Sequence, residues 1–158
     1  MFFLFIILCA IIQVSLSDSI QFFWIKPDLL FIALVIAGIT FKARAAVTFG
    51  IVCGILKDAF GIGVFGMNSV LFPLWSVAII TLTRRISLEY NIYAVIFVAL
   101  FACVNAITTR VLFAFFGMPV PVWAFLRIAF FESLYTALFF PVVLKVAKDF
   151  VIRKKYAF

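Results

Sequence analysis

The sequence contains no histidine, and it has few charged residues. Asp, Glu, Lys and Arg make up 12% of the 158 residues, against about 25% in an ordinary soluble domain. Histidine is the commonest metal ligand and general base in proteins, so its absence argues against most metalloenzymes and catalytic triads. Because 68% of the residues are hydrophobic, the few charges cannot cover a soluble surface. The composition therefore predicts an integral membrane protein.

Cysteine is also scarce and offers no obvious chemistry. The three cysteines, Cys9, Cys53 and Cys103, lie in separate apolar runs, and the sequence has no CxxC pair. We interpret them as small buried hydrophobic residues rather than as redox or metal-binding groups. We therefore expect no metal site and no cofactor.

The formal net charge of +7 would suggest a nucleic-acid partner in a soluble protein. Here the cations cluster between the apolar runs, where the positive-inside rule of membrane proteins explains them better. We therefore expect no nucleic-acid partner, and the excess positive charge favours anionic membrane lipid.

The apolar runs predict one all-α transmembrane domain over residues 1–158. No Lys or Arg precedes the first run and no cleavage site follows it, so we interpret it as a retained helix rather than a signal peptide. Most cations fall on one side if the N-terminus is cytoplasmic, which predicts six crossings with both termini in the cytoplasm. The approximate spans are 2–16, 27–41, 45–60, 68–83, 90–109 and 122–146, followed by a basic cytoplasmic tail at 147–158.

One stretch combines glycines with adjacent charges inside an apolar run. At 3.6 residues per turn, Gly50, Gly54, Asp58 and Gly61 fall on one helical stripe. Small residues four positions apart let helices approach closely in lipid, and an ionisable group at membrane depth usually faces a partner or a wet cavity. We expect this stripe to face a single neighbouring helix, with the remaining helices arranged around it.

The intramembrane charges call for partners, because an unpaired charge is costly to bury. We expect Asp58 and Glu132 to pair with cations from other helices, and the candidate cations are Lys57, Arg110 and Arg127. Such pairs more often fix helix register than perform a reaction. A proton or ion path and the docking of a partner stay open as alternatives.

Other polar residues mark helix starts and helix contacts. Pro27 and Asp28 suit a first helical turn, and Asn68 with Ser69 can cap the fourth helix. A stripe of hydrogen-bonding side chains in the fifth helix is expected to bond across helices; it comprises Asn105, Thr108 and Thr109.

Two blocks of sequence resemble the rod shape-determining protein MreD family. The first is Lys26-Pro27-Asp28-Leu29-Leu30. The second, about twenty residues later, has the glycine-rich pattern Gly50-x3-Gly54-x2-Lys57-Asp58-x2-Gly61-x4-Gly66-x-Asn68-Ser69. The order and spacing of both blocks are similar to those of the family, although Lys57 stands where a neutral polar residue is more usual.

The resemblance implies a fold and a role. The fold would be similar to the six-helix substrate-binding subunit of energy-coupling-factor vitamin transporters. The chain would be a non-catalytic scaffold in the bacterial inner membrane that binds MreC. Through MreC it would be linked to MreB, to the polymerase RodA and to the elongation penicillin-binding transpeptidase, and so to peptidoglycan synthesis and rod cell shape. The family-critical positions would be Pro27, Asp28, Asp58, Gly61, Gly66 and Asn68.

Two other interpretations stay open. A vitamin-binding transporter subunit would need a polar pocket and a small-residue face for its energising partner, which Ala33 and Ala37 could supply. An intramembrane enzyme would have to work through Asp28, Asp58 or Glu132, and no two of these lie near each other in the sequence.

Overall fold

The computed structural model describes residues 2–15, 27–60, 65–83, 91–117 and 121–149. Within these ranges the chain forms six helices and no strand. The all-helical prediction is therefore confirmed for the described part of the chain. The helices are α1 (Phe2–Ser15), α2 (Leu29–Thr40), α3 (Ala43–Phe60), α4 (Met67–Thr83), α5 (Asn91–Phe115) and α6 (Val122–Ala147).

Two of the helices are long and apolar enough to cross a bilayer. They occupy Ile92–Phe115 and Val122–Ala147, whereas α1, α2 and α4 are apolar but shorter. The fifth span was expected to end at Thr109, but α5 continues through Arg110 to Phe115. Arginine is a good helix former, and the chain turns only at Gly117, whose φ of 77° favours glycine.

Helix α2 lies at the centre of the fold. It contacts α1, α3, α4, α5 and α6, and all ten of its residues from Leu29 to Gly38 are buried. A helix that is apolar on every side suits either the interior of a protein or contact with lipid, and α2 occupies the interior. The expectation that the other helices surround the Gly50–Asp58 stripe of α3 is therefore wrong, because α3 is one of the helices packed around α2.

Hydrogen bonds from three directions fix the start of α2. Asp28 is its N-cap, and the Asp28 carboxylate accepts from the Phe31 amide at 3.0 Å. The Gln13 side-chain oxygen on α1 accepts from the Leu30 amide at 3.0 Å, and the Asp28 amide donates to the Thr136 hydroxyl on α6 at 3.1 Å. Asp28 was predicted inside the first helical turn, but it lies just before that turn, as the N-cap. There its carboxylate satisfies one of the free amides of the turn.

Helices α5 and α6 extend beyond the other helices on the side where α2 begins. Thr136 of α6 lies beside the start of α2, because its hydroxyl accepts from the Asp28 amide. At 1.5 Å per residue, Thr136 is about 21 Å along α6 from Val122, where that helix begins. From Ile107 to Ile128, no residue with a described side chain is buried. The core residues of the two helices lie further along, for example Ala94, Val98 and Phe140. We call residues 107–128 the projecting hairpin; its residues 118–120 lie outside the described part.

Candidate functional site

The glycines of α3 lie directly against the backbone of α4. A Cβ atom at Gly54 would stand 2.5 Å from the Asn68 carbonyl oxygen and 2.7 Å from the Ser69 Cα. At Gly50 it would overlap the Ser76 hydroxyl and stand 3.2 Å from the Phe72 carbonyl oxygen. Real Cβ atoms essentially never come within 3.0 Å of such atoms, so the two helices can be this close only because both positions are glycine.

The Asp58 carboxylate sits on the N-terminus of α4. Its Oδ1 accepts from the amide of Asn68 at 3.0 Å and from the Asn68 side chain at 2.8 Å. Its Oδ2 accepts from the amide of Ser69 at 2.8 Å and from the Ser69 hydroxyl at 2.6 Å. Two of the first-turn amides that a helix leaves unbonded are thereby satisfied, and the negative charge lies at the positive end of the helix dipole.

Together these contacts form what we call the α3–α4 joint, which consists of Gly50, Gly54, Asp58, Asn68 and Ser69. The prediction that one stripe of α3 faces a single neighbour is confirmed for Gly54 and Asp58, and that neighbour is α4. Gly50 also faces α4, but a Cβ there would in addition meet the Leu34 side chain of α2 at 3.1 Å. Asn68 and Ser69 were expected to cap α4. They lie instead inside its first turn, because α4 begins at Met67, and the cap comes from α3.

Lys57 points away from the joint, towards α2. Its ammonium forms an ion pair with the Asp28 carboxylate and lies 5.0 Å from the centre of the Phe72 ring. Successive residues of a helix are rotated by about 100°, so Lys57 and Asp58 face different neighbours. The prediction that Asp58 pairs with Lys57, Arg110 or Arg127 is wrong. Among the described residues its carboxylate has no ion pair, and its oxygens accept from donors of α4.

Glu132 has no ion pair within 4.0 Å among the described residues. It is half-buried and close enough to Lys57, Asp28 and Arg110 to interact with them electrostatically. The expected direct pair with a cation is therefore not formed, since Lys57 is already engaged by Asp28. Arg127, five residues from Glu132, is exposed and lies on another face of α6.

The expected cross-helix hydrogen bonds of α5 are also not found in the described part of the chain. The Thr108 hydroxyl donates to the Val104 carbonyl within the same helix at 2.8 Å. The side-chain oxygens of Asn105 and Thr109 are buried without a hydrogen-bond partner. Local back-bonding of this kind is an ordinary alternative for a helical threonine.

Other predicted site residues fall outside these clusters. Gly66 has a φ of 94°, and nothing lies within 4 Å of a Cβ placed there, so a glycine is favoured there by its backbone conformation alone. Pro27 directly precedes the N-cap of α2. Gly61 lies outside the described residues. Among the described residues, no three or more His, Cys, Asp or Glu side chains form a group that could hold a metal.

Sequence reasoning missed two residues that hold the start of α2, namely Gln13 and Thr136. Gln13 is the lone amide side chain in an otherwise apolar helix. A polar side chain in such a run usually has a specific partner, and this signal could have identified it. Thr136 has no comparable signal, because its bond to Asp28 joins residues 108 positions apart.

We expect the Asp28–Lys57 pair to show strong energetic coupling. Removing one member of a buried ion pair leaves the other charge uncompensated. Asp28→Asn keeps a good N-cap but leaves the Lys57 charge without its partner. Lys57→Met leaves the Asp28 charge without its partner. The double variant should therefore lose less stability than the two single losses combined, by about 1 kcal/mol or more. Thermal unfolding of the four proteins in detergent measures this coupling, and strictly additive losses would contradict it.

Comparisons with known proteins give no further guide, since no family model, curated protein or solved structure matches this chain.

Proposed function

We propose that the chain is a multi-pass protein of the bacterial inner membrane and a member of the MreD family. In this proposal all six helices cross or enter the bilayer, both termini are cytoplasmic, and the fold is similar to the substrate-binding subunit of energy-coupling-factor transporters. Its support is the hydrophobic composition, the two helices long enough to span a membrane, and the two motif blocks around Asp28 and Asp58.

Its function, in our proposal, is that of a non-catalytic scaffold that binds MreC. The main support for a non-catalytic role is the set of groups that bind the two motif carboxylates. Asp28 is used as a helix cap and as the partner of Lys57, and Asp58 is used to hold α4. Both carboxylates are thus occupied by groups of the chain itself. Motif residues engaged in this way favour a role in shaping the bundle over a role in a reaction.

Co-purification with MreC tests the proposal. The full chain is co-expressed with tagged MreC, extracted in mild detergent and captured through the tag. We expect the chain to co-purify in fixed ratio, and MreC without its membrane-spanning segment should capture less. An Asp149→Asn variant, which changes an exposed carboxylate, should bind as the unaltered chain does. Failure of the unaltered, folded chain to co-purify would contradict the proposed function.

The second candidate function is a vitamin-binding transporter subunit. The observation in its favour is that Glu132 is half-buried and interacts electrostatically with Lys57, Asp28 and Arg110, so that several polar groups face one region of the bundle. Against it, the small residues Ala33 and Ala37 are fully buried in α2, so they cannot form an outer face for an energising partner. Co-purification with ATPase subunits, or a vitamin found by mass spectrometry of the purified chain, would favour this alternative.

A further inference from the structure

Three polar side chains on α4 and α5 each hold a buried atom that has no hydrogen-bond partner among the described residues. These atoms are the indole Nε1 of Trp75 on α4, and the Oδ1 of Asn105 and the Oγ1 of Thr109 on α5. Asn105 is the most deeply placed, with an exposed fraction of 3%. A fourth such atom, the Oδ1 of Asn68, lies in the α3–α4 joint. Buried polar atoms nearly always have a partner, so the three on α4 and α5 call for one.

Thr109 differs from other threonines in the helices of this chain. The hydroxyls of Thr48, Thr81 and Thr108 each donate to the carbonyl four residues earlier in their own helix, which is a common bond for a helical threonine. The Thr109 hydroxyl makes no such bond, although its oxygen is buried. It is therefore available to a partner other than the backbone of α5.

Phe101, Asn105 and Thr109 form one stripe of α5, because residues four positions apart share a helical face. Cβ atoms at this spacing are about 5–6 Å apart, so a single small molecule can lie between the side chains of Asn105 and Thr109. The Trp75 ring packs edge-on against the Phe101 ring, with the two centroids 5.9 Å apart. The unpartnered donor of α4 thus lies beside the stripe that carries the two unpartnered oxygens.

An occupant of this place must be small, and it must both donate and accept hydrogen bonds. Two of the three atoms are oxygens that can accept, whereas the indole N–H can only donate. A water molecule meets both needs, and a buried water typically makes about three hydrogen bonds to otherwise unsatisfied groups. We propose that Asn105, Thr109 and Trp75 bind a buried water between α4 and α5, which donates to the two oxygens and accepts from the indole. The proposal does not depend on MreC binding.

Radiolytic labelling of the full chain in detergent tests for this water directly. A short X-ray pulse splits water molecules where they lie, and the hydroxyl radicals oxidise the side chains beside them, which mass spectrometry then identifies. We expect the oxidation of Trp75 to fall several-fold in an Asn105→Leu/Thr109→Val variant, which has no polar side chain left on the stripe. Thr109→Val alone should also lower it, so the test holds even if the double variant folds poorly.

Thr108→Val is the matched control, because it makes the same change one residue earlier, at a hydroxyl that is already bonded to the Val104 carbonyl. It should leave the oxidation of Trp75 unchanged. Thermal unfolding gives a second readout. Since the loss of either oxygen disrupts the same water, the double variant should lower the midpoint by less than the two single shifts combined.

Three results would overturn the proposal. The first is equal oxidation of Trp75 in the unaltered chain and the double variant; if the midpoints were still coupled, Asn105 and Thr109 would be bonded directly, without a water. The second is an equal fall in oxidation in Thr108→Val. The third is a set of additive midpoint shifts, which would mean that Asn105 and Thr109 do not share a ligand.

Discussion

Asp58→Ala should lower the free energy of unfolding by about 3 kcal/mol or more, which would be a large share of the stability of an ordinary domain. The substitution removes the acceptor of four hydrogen bonds, two of them from amides in the first turn of α4. Those amides, of the buried Asn68 and the half-buried Ser69, are left without a partner, and such groups are costly to leave unbonded. Thermal and chemical unfolding in detergent measure the loss.

Two further variants make this result specific. Asp149→Ala removes an exposed carboxylate near the end of α6, so it should change stability little. Asp58→Asn keeps one acceptor oxygen but replaces the other with an amide NH2 group, which cannot accept the two hydrogen bonds from Ser69. Its effect should therefore fall between those of Asp149→Ala and Asp58→Ala. An Asp58→Ala protein as stable as Asp149→Ala would show that the carboxylate does not hold α4.

Gly54→Ala should separate α3 from α4 and destabilise the protein by about 1–3 kcal/mol, the usual range for overpacking. The added methyl group meets the carbonyl oxygen of Asn68 and the Cα of Ser69, which are backbone atoms and cannot rotate away. Alanine is ordinarily the better helix former by about 0.5–1 kcal/mol. A net loss would thus show that the steric effect exceeds this gain.

Gly38→Ala in α2 is the matched control for this substitution. There a Cβ would meet the Ile79 Cγ2 at 2.7 Å, and its three nearest atoms all belong to side chains. The buried, β-branched Ile79 is stiff at χ1, but its side chain can shift with less movement of the α4 backbone than the contact at Gly54 requires. We therefore expect a smaller loss than at Gly54, although both glycines lie inside helices and close to α4. Equal losses at the two positions would argue against a special backbone contact at Gly54.

The helical stripe of α3 could be predicted from the sequence because it depends on local periodicity. Residues four positions apart share a face in any α-helix, so Gly50, Gly54 and Asp58 had to point the same way. The identity of the neighbour could not be read in the same manner. Helices joined by a short turn often pack together, yet nothing local showed that Asp58 would accept from Asn68 and Ser69 rather than pair with a cation.

The pairing of charges was predicted less well, because it depends on which helices meet. Lys57 was considered as a partner for Asp58 or Glu132, whereas it binds Asp28, a residue then interpreted mainly as a helix start. The height of the helix ends was not predicted either. Hydropathy locates apolar runs, but it does not show that Asp28 at the start of α2 lies beside Thr136, well inside α6. The projecting hairpin exists because of this offset between the ends of the two helices.

The central claim is that Gly54 and Asp58 act together as one joint between α3 and α4. A double-variant cycle of Gly54→Ala and Asp58→Ala, measured by unfolding of the full chain in detergent, tests it most directly. If the methyl group at position 54 already moves α4 away, Asp58 has little left to hold. The double variant should then lose at least about 1 kcal/mol less than the two single losses combined. Additive losses would contradict the claim, since they would mean that the two residues stabilise the protein independently.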